Sequence, residues 1–420
     1  MSRRLFPAAI LGVVLLATGT NFVSLPTGRE SRVVLSLAFA AALAGVWLLR
    51  AARGHENIAV RFALPIGAFI GAGAFSWIWS QLTADALLWI WPSFPMVQMA
   101  ALFVNSALPL MLLITASVIH DVVWRERFVA LLIIVGLVNL AARIFLPSLT
   151  VVLENGTRGL FVAWSSGAAM LWLLYRWRES TPVQRIAAGA LVVGNLYHYF
   201  IVHRIWMSGW LPMFVVWFAM AWLRSRRLGA VVTLFLIGFL AFNFDDLYRS
   251  IVLDNLDEGG LQRLELWAMN LQHVANHPVF GLGPAGYAPY NMTYHPRDAR
   301  STHNNYFDVL AQTGIVGAAC FVWILASIGR TAWRTHRGMP ADSFMHGYSA
   351  LAFSALCAAL FAMMLGDWVL PFAYNQSITG FDNAVISWIG WGMAGRGERE
   401  EGRGKRDGCD FRADRQLEYV

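Results

Sequence analysis

The chain has 420 residues, 57% of them hydrophobic and only 14% charged, a balance that excludes an ordinary soluble enzyme and fits a polytopic membrane protein. Its formal net charge is +7, but the basic residues are scattered through short loops rather than gathered on one polar domain, which argues against nucleic acid as a partner. The three cysteines, Cys320, Cys357 and Cys409, fall in two predicted helices and the tail, so they frame neither an extracytoplasmic disulfide nor a metal cluster and read as small apolar filler.

Apolar runs that approach the length of a bilayer crossing, about 20 residues each, recur from Leu5 to Ile389, and about twelve can be counted. The first, Leu5 to Leu25, follows Arg3 and Arg4 and closes without a small-residue cleavage site, so it reads as a retained helix. Next come Val33 to Leu49 and Phe62 to Ser80. In the third run Gly67 and Gly71 make a small-xxx-small pair, predicting a close helix approach. Trp77, Trp79, Trp89 and Trp91 at its end read as an interfacial belt, with a sugar-stacking platform as the alternative. Met96 to Ile119, Val129 to Leu149, Gly159 to Trp177 and Ile186 to Val202 follow. After the tight turn His203 to Gly209 come Trp210 to Trp222 and Leu228 to Phe244. A polar interval from Asp245 to Asn305 then separates these from Phe307 to Ile328, Tyr348 to Leu365 and Asn383 to Met393, the last short enough to be tilted, re-entrant or interfacial. Residues 395–420 are charged and read as a disordered extension. The expected organisation is therefore an all-α membrane bundle at 1–244, a large loop with short helices at 245–305, further spans at 306–394 and a tail at 395–420. No internal repeat is evident.

Every second loop is basic. Arg50, Arg53 and Arg61, then Arg125 and Arg127, then Arg176, Arg178 and Arg185, then Arg224, Arg226 and Arg227, then Arg330, Arg334 and Arg337 alternate with loops poor in arginine. Arg29, Arg32 and Arg158 are the exceptions. The positive-inside rule then puts both termini in the cytoplasm and the 245–305 loop on the opposite side. Arg204 lies in an outer turn, where that rule disfavours arginine, and a guanidinium fork there matches phosphate oxygens.

A membrane protein that keeps some sixty residues outside lipid invites a search for chemistry there first. Leu261 to Val274 reads as a short amphipathic helix with Leu264, Trp267, Ala268 and Leu271 on one face and Arg263 on another, lying at the membrane surface. Arg263 either reaches headgroup phosphates or binds a ligand. Gly281-Leu282-Gly283-Pro284-Ala285-Gly286 matches G-x-G-x-x-G in letters only, because no strand precedes it and Pro284 interrupts it; it reads as a turn allowing close backbone approach. His303, followed by Asn304, Asn305 and, one turn on, Asp308, is either a helix-capping residue or a proton acceptor at the membrane surface. The histidines lack metal-site spacing, so no metal or cofactor is expected.

Arg263-x-x-x-Trp267, His277-Pro278-Val279-Phe280-Gly281-Leu282-Gly283 through Tyr287, and His303-Asn304-Asn305 running into Gly314-x-x-Gly317 together resemble the bacterial O-antigen ligase and polymerase family over about Gln262 to Gly317. The resemblance implies a multi-helix, metal-independent glycosyltransferase of the bacterial inner membrane with a periplasmic active site. Its donor would be a polyprenyl-diphosphate-linked glycan and its acceptor a lipid A-core sugar or, in a polymerase, a growing glycan. It further implies that Arg263, and by position Arg204, hold the diphosphate, and that His303 activates the acceptor hydroxyl with inversion at the anomeric carbon. His203 stands where the family often has serine, a departure that touches the Arg204 assignment. Trp267, Asn304, Gly283 and Tyr287 are then expected at the substrate. A transporter of a small anion or glycan is the alternative of another class, disfavoured because the notable charges gather at the outer surface rather than mid-membrane.

Overall fold

The computed structural model describes residues 4–19, 29–56, 58–85, 87–88, 94–146, 157, 159–199, 207–242, 244–248, 261–294, 301–372 and 380–395. No strand appears among them. The helices are α1 (Leu5–Gly19), α2 (Arg29–Ala52), α3 (Val60–Thr83), α4 (Phe94–Val118), α5 (Val122–Phe145), α6 (Leu160–Met170, continued by a π-helical turn Leu171–Tyr175), α7 (Pro182–Tyr197), α8 (Met207–Arg224) and α9 (Arg226–Phe242). After these come α10 (Phe244–Tyr248), α11 (Leu261–Asn276), α12 (Ala288–Tyr294), α13 (Asn305–Gly338), α14 (Phe344–Ala362) and α15 (Gly380–Gly392).

Each predicted apolar run overlaps one of these helices, yet six among the described residues are long and apolar enough to cross a membrane: 35–52 in α2, then α3, α4, α5, α13 and α14. Helices α1, α6 with its π turn, and 209–224 of α8 are apolar but shorter. Among the described residues, then, six helices meet the length of a full span, and the expected count of about twelve is not established. Large apolar side chains such as Leu234 and Phe235 are 69% and 70% exposed. Water would not support such a surface over a whole bundle, and lipid does. The chain is an integral membrane protein.

The short last helix occupies the centre. All of α15 except Asn383 is buried, and Trp388 and Trp391 are fully enclosed. Its neighbours include α1, α4 and α6, and the Trp164 indole of α6 donates to Ser387 Oγ at 3.0 Å. The re-entrant or interfacial reading therefore gives way to a core helix, short because protein rather than lipid surrounds it. Helices from both sides of the 245–305 interval form one bundle, since α13 packs on α3, α14 on α8 and α15 on α4. The predicted Gly67 and Gly71 approach is not made: a Cβ at either would meet nothing within 4 Å, and Gly73, facing Leu102, is the close-packed glycine of α3. The residues 396–420 and Cys409, Trp89 and Trp91 lie outside the described residues.

Arginine alternation corresponds to a physical end of the bundle. Arg125 Nη2 donates to the Gly395 carbonyl at 2.8 Å, tying the start of α5 to the end of α15. Arg224 Nε donates to the Leu174 carbonyl at 2.8 Å, and Arg176 Nη1 to the Asp342 carbonyl at 3.4 Å. The start of α13 and the end of α14, which meet where Asn305 N–H donates to the Met363 carbonyl at 2.8 Å, are at the opposite end.

Candidate functional site

The glycine turn and the break in α13 form one structure. Gly314, inside α13, has φ 63 and ψ −169, which removes two helical bonds, Ile315 N–H to Ala311 and Val316 N–H to Gln312. Each orphaned group finds a partner in the turn or on α3. Ile315 N–H donates to the Pro278 carbonyl at 2.9 Å, Val316 N–H to Val279 at 3.3 Å, and Leu282 N–H to the Ala311 carbonyl at 2.9 Å. Ser76 of α3 shares its hydroxyl proton between the carbonyls of Gln312 and Phe280, at 2.7 and 2.5 Å. The Gln312 side chain completes the joint, accepting from Ala285 N–H at 2.7 Å and donating to the Asp308 carbonyl at 2.9 Å. Backbone polar groups buried in a membrane protein require this full pairing.

Only glycine fits the joint at two positions. A Cβ on Gly314 would stand 2.2 Å from the Val279 carbonyl oxygen, and one on Gly281 (φ 65) would stand 2.6 Å from the Ala311 oxygen. Gly314→Ala is expected to destabilise the protein by more than about 1 kcal/mol, through the positive φ and the backbone collision together. The check is a lowered thermal midpoint of the detergent-purified protein. The turn is also not a phosphate cradle: the N–H groups of Gly281, Leu282, Ala285 and Gly286 all bond to this protein's own oxygens.

Beside this joint lies a buried polar cluster at the start of α13. Asp308 is 1% and Asp367 3% exposed, and their carboxyl groups hydrogen-bond to each other. Tyr287 Oη and Thr302 Oγ1 each donate to Asp308 Oδ1 at 2.5 Å, while Ser301 Oγ donates to Asp367 Oδ2 at 2.7 Å. Burial, and then the Asp308 carboxylate, raise the Asp367 pKa well above the ordinary carboxylate range, with the Arg263 charge opposing. Of the two acids, Asp367 is therefore the one whose environment favours the protonated, donating form towards Asp308. Asp367 is fixed in turn by Asn305, whose Oδ1 accepts from Val369 and Leu370 N–H at 3.0 and 3.3 Å and whose Nδ2 donates to the Leu370 carbonyl at 2.6 Å.

The cluster orients His303. With its only proton given to Asp367, Ser301 Oγ is an acceptor, and it receives the His303 backbone N–H at 3.2 Å and faces His303 Nδ1 at 3.3 Å. This places a hydrogen on Nδ1 and leaves the imidazole lone pair on Nε2. The same clasp holds His303 at φ 51, a left-handed conformation that non-glycine residues adopt where surrounding contacts impose it.

The structure brings Arg263 and Trp267 to this corner. The expected helix forms as α11, and Trp267 Nε1 donates to the Thr302 carbonyl at 2.8 Å while its ring lies 5.5 Å from that of Phe307. Arg263, one helical turn earlier, is exposed and its charge reaches Asp367. The helix is turned differently from the amphipathic reading: Leu266 and Asn270 are buried, whereas Leu264 and Leu271 are 56% and 47% exposed.

Three residues expected at the substrate are instead behind the surface. Tyr287 is fully buried and stacked on Phe372 at 4.5 Å; burial, then Asp308 and Asp367, push its hydroxyl pKa up, so it acts as a donor. Gly283 (φ 85) packs where a Cβ would lie 2.6 Å from Ser80 Oγ. Asn304 is the N-cap of α13, its Oδ1 accepting from Tyr306 and Phe307 N–H at 3.0 and 3.4 Å. Arg204 lies outside the described residues.

Residues 144–322 match the family model described as O-antigen ligase. That segment of the chain is similar to the family. Comparison with curated proteins finds no match. The matched segment contains α6 to α12, the glycine turn, His303 and the kink of α13, but ends before Asp367. That acid, together with Ser301, is what sequence reasoning missed. The available signal was an acid directly after Gly366, at the end of an apolar run and far along the chain from His303.

Proposed function

We propose that the protein transfers a glycan from a polyprenyl-diphosphate donor to an acceptor hydroxyl, a lipid A-core sugar, at the periplasmic face of the bacterial inner membrane. The arginine-rich end is then cytoplasmic, and the 245–305 interval is the catalytic loop between the spans at 1–244 and 306–394, with 395–420 as a cytoplasmic tail. The observation that carries this reading is the clasp of Asp367, Ser301 and His303 within the field of Arg263, because it sets a base beside a cation in the segment matched to O-antigen ligases.

A glycosyl diphosphate has a good leaving group, so the enzyme must position it and neutralise its charge as the bond breaks. Arg263, exposed on α11, meets the diphosphate, and Arg204 joins it from the neighbouring turn. The acceptor oxygen attacks the anomeric carbon opposite the diphosphate, its proton passes to His303 Nε2, and the polyprenyl diphosphate departs with the configuration inverted. Trp267 holds the loop to Thr302 and offers its ring edge to the sugar. No metal or cofactor is required by these steps, since guanidinium groups supply the positive charge.

Asp367 gives the reaction a predicted alkaline limb. Its pKa is raised in the folded protein, so the carboxyl stays protonated below that value and ionises as pH rises, placing a second charge beside Asp308 and disturbing the Ser301 clasp. The same sign holds for stability, because the unfolded chain loses this proton at lower pH than the folded one, so the contribution is lost on the alkaline side. Asp367→Asn copies the protonated carboxyl, with one donor and one acceptor. It should retain transfer and flatten the alkaline decline, measured as rate against pH.

The test in cells compares a deletion strain with its parent. Accumulated lipid-linked glycan with uncapped lipid A-core supports ligation; loss of long-chain polymer with single units still attached gives the polymerase of the same family. Lost uptake of a small anion with normal surface glycan would overturn glycan transfer.

A further inference from the structure

A second polar site lies at the opposite, arginine-rich end of the bundle. The π-helical turn Leu171–Tyr175, the end of α8 and the turn between α13 and α14 border a half-open pocket of about 460 Å³ lined by Tyr175, Arg176, Trp177, Arg178, Arg224 and Asp342, among others. A π turn inserts an extra residue into the ladder, here closed by Arg176 N–H on the Leu171 carbonyl at 3.2 Å. The Leu174 carbonyl, later in the same turn, is taken by Arg224 Nε at 2.8 Å. Such turns are frequent at functional sites.

The charges in this cavity are unequal. Arg176 is paired with Glu179 and donates to the Asp342 carbonyl. Arg224 uses Nε on Leu174 and lies over the Tyr175 ring at 5.6 Å. Arg178 is exposed at the rim. Three guanidinium groups thus face two carboxylates, one of them already paired, and the surplus is positive. The remaining wall is apolar and aromatic: Leu174, Tyr175 and Trp177, the last 52% exposed with Arg185 over its ring at 4.7 Å. A half-exposed tryptophan at the end of an apolar helix marks the headgroup level of a bilayer.

We propose that this pocket binds a phosphate ester anion, supplied as the headgroup of an anionic lipid. The guanidinium groups match phosphate oxygens, the aromatic wall suits the glycerol and first acyl carbons, and basic pockets between helices at this level collect anionic headgroups. The site is separate from the glycan-transfer corner and does not depend on it.

The test uses the full-length protein purified in detergent, with dioleoylphosphatidylglycerol, dioleoylphosphatidylcholine and inorganic phosphate as probes, read by native mass spectrometry and thermal midpoint. Phosphatidylglycerol is expected to be retained and to raise the midpoint, and phosphatidylcholine to do neither. Arg178→Glu, at an exposed position, should weaken retention by about tenfold without lowering the lipid-free midpoint; Arg224→Lys, which keeps charge but loses the fork, should weaken it less. Equal retention of both lipids, or unchanged phosphatidylglycerol retention in Arg178→Glu, overturns the site. Inorganic phosphate raising the midpoint as far, with no lipid retained, overturns the lipid as the source.

Discussion

Arg263→Ala is expected to lower glycan transfer by about 10²–10³-fold, the effect of removing one preorganised group that stabilises developing charge. The protein should still fold and insert, because the Arg263 side chain is exposed and Trp267 anchors the loop to Thr302. Arg263→Lys separates charge from geometry: a lysine restores the positive point charge but not the two-pronged contact with a diphosphate, so partial recovery is the expected result. Transfer assayed on membranes from the variants, normalised to protein content, decides it. Full activity in Arg263→Ala would remove the diphosphate role.

His303→Ala is expected to cost about 10²–10⁴-fold, the usual contribution of a positioned general base, again with the protein present in the membrane. Ser301→Ala should cost less. The imidazole survives in that variant, but the acceptor that receives both its backbone N–H and its Nδ1 hydrogen is gone. A lone pair then resides on either ring nitrogen and the left-handed backbone at His303 loses one of its restraints. The two variants differ in kind if the clasp acts by orientation: Ser301→Ala lowers the rate while keeping its dependence on His303, and the double variant is no worse than His303→Ala alone.

The helical class of the protein was plain from composition and run length, since only helices satisfy their own backbone in lipid at this hydrophobicity. Run length was a poorer guide to which helices cross. The Asn383 to Met393 run reads as a weak span and is a core helix, because twelve or so apolar residues look alike whether lipid or protein surrounds them. The glycine turn was recognisable as a close approach, but its partner was not: that Gly281 and Gly314 belong to one joint follows from bonds between residues 29 to 37 apart, Leu282 to Ala311 and Ile315 to Pro278. The candidate site divides along the same line. Arg263, Trp267 and His303 stand in one motif-bearing stretch and converge. Asp367 arrives through the fold from beyond α14, with nothing local in the sequence to link it to Ser301. Tyr287, Asn304 and Gly283 share the motif but serve the scaffold, as a donor to Asp308, a helix cap and a packing position. A motif marks residues that must be kept without separating those that touch substrate from those that hold the ones that do.

The most direct measurement is transfer by the purified protein in proteoliposomes, supplied with a polyprenyl-diphosphate glycan and a lipid A-core acceptor and with divalent cations chelated. Wild type should yield the glycosylated acceptor with inverted configuration and release one polyprenyl diphosphate per linkage, while His303→Ala and Arg263→Ala yield almost none. Undiminished product from His303→Ala, or no product from the wild type until a divalent cation is restored, would contradict a site that works through one histidine base and arginine charge.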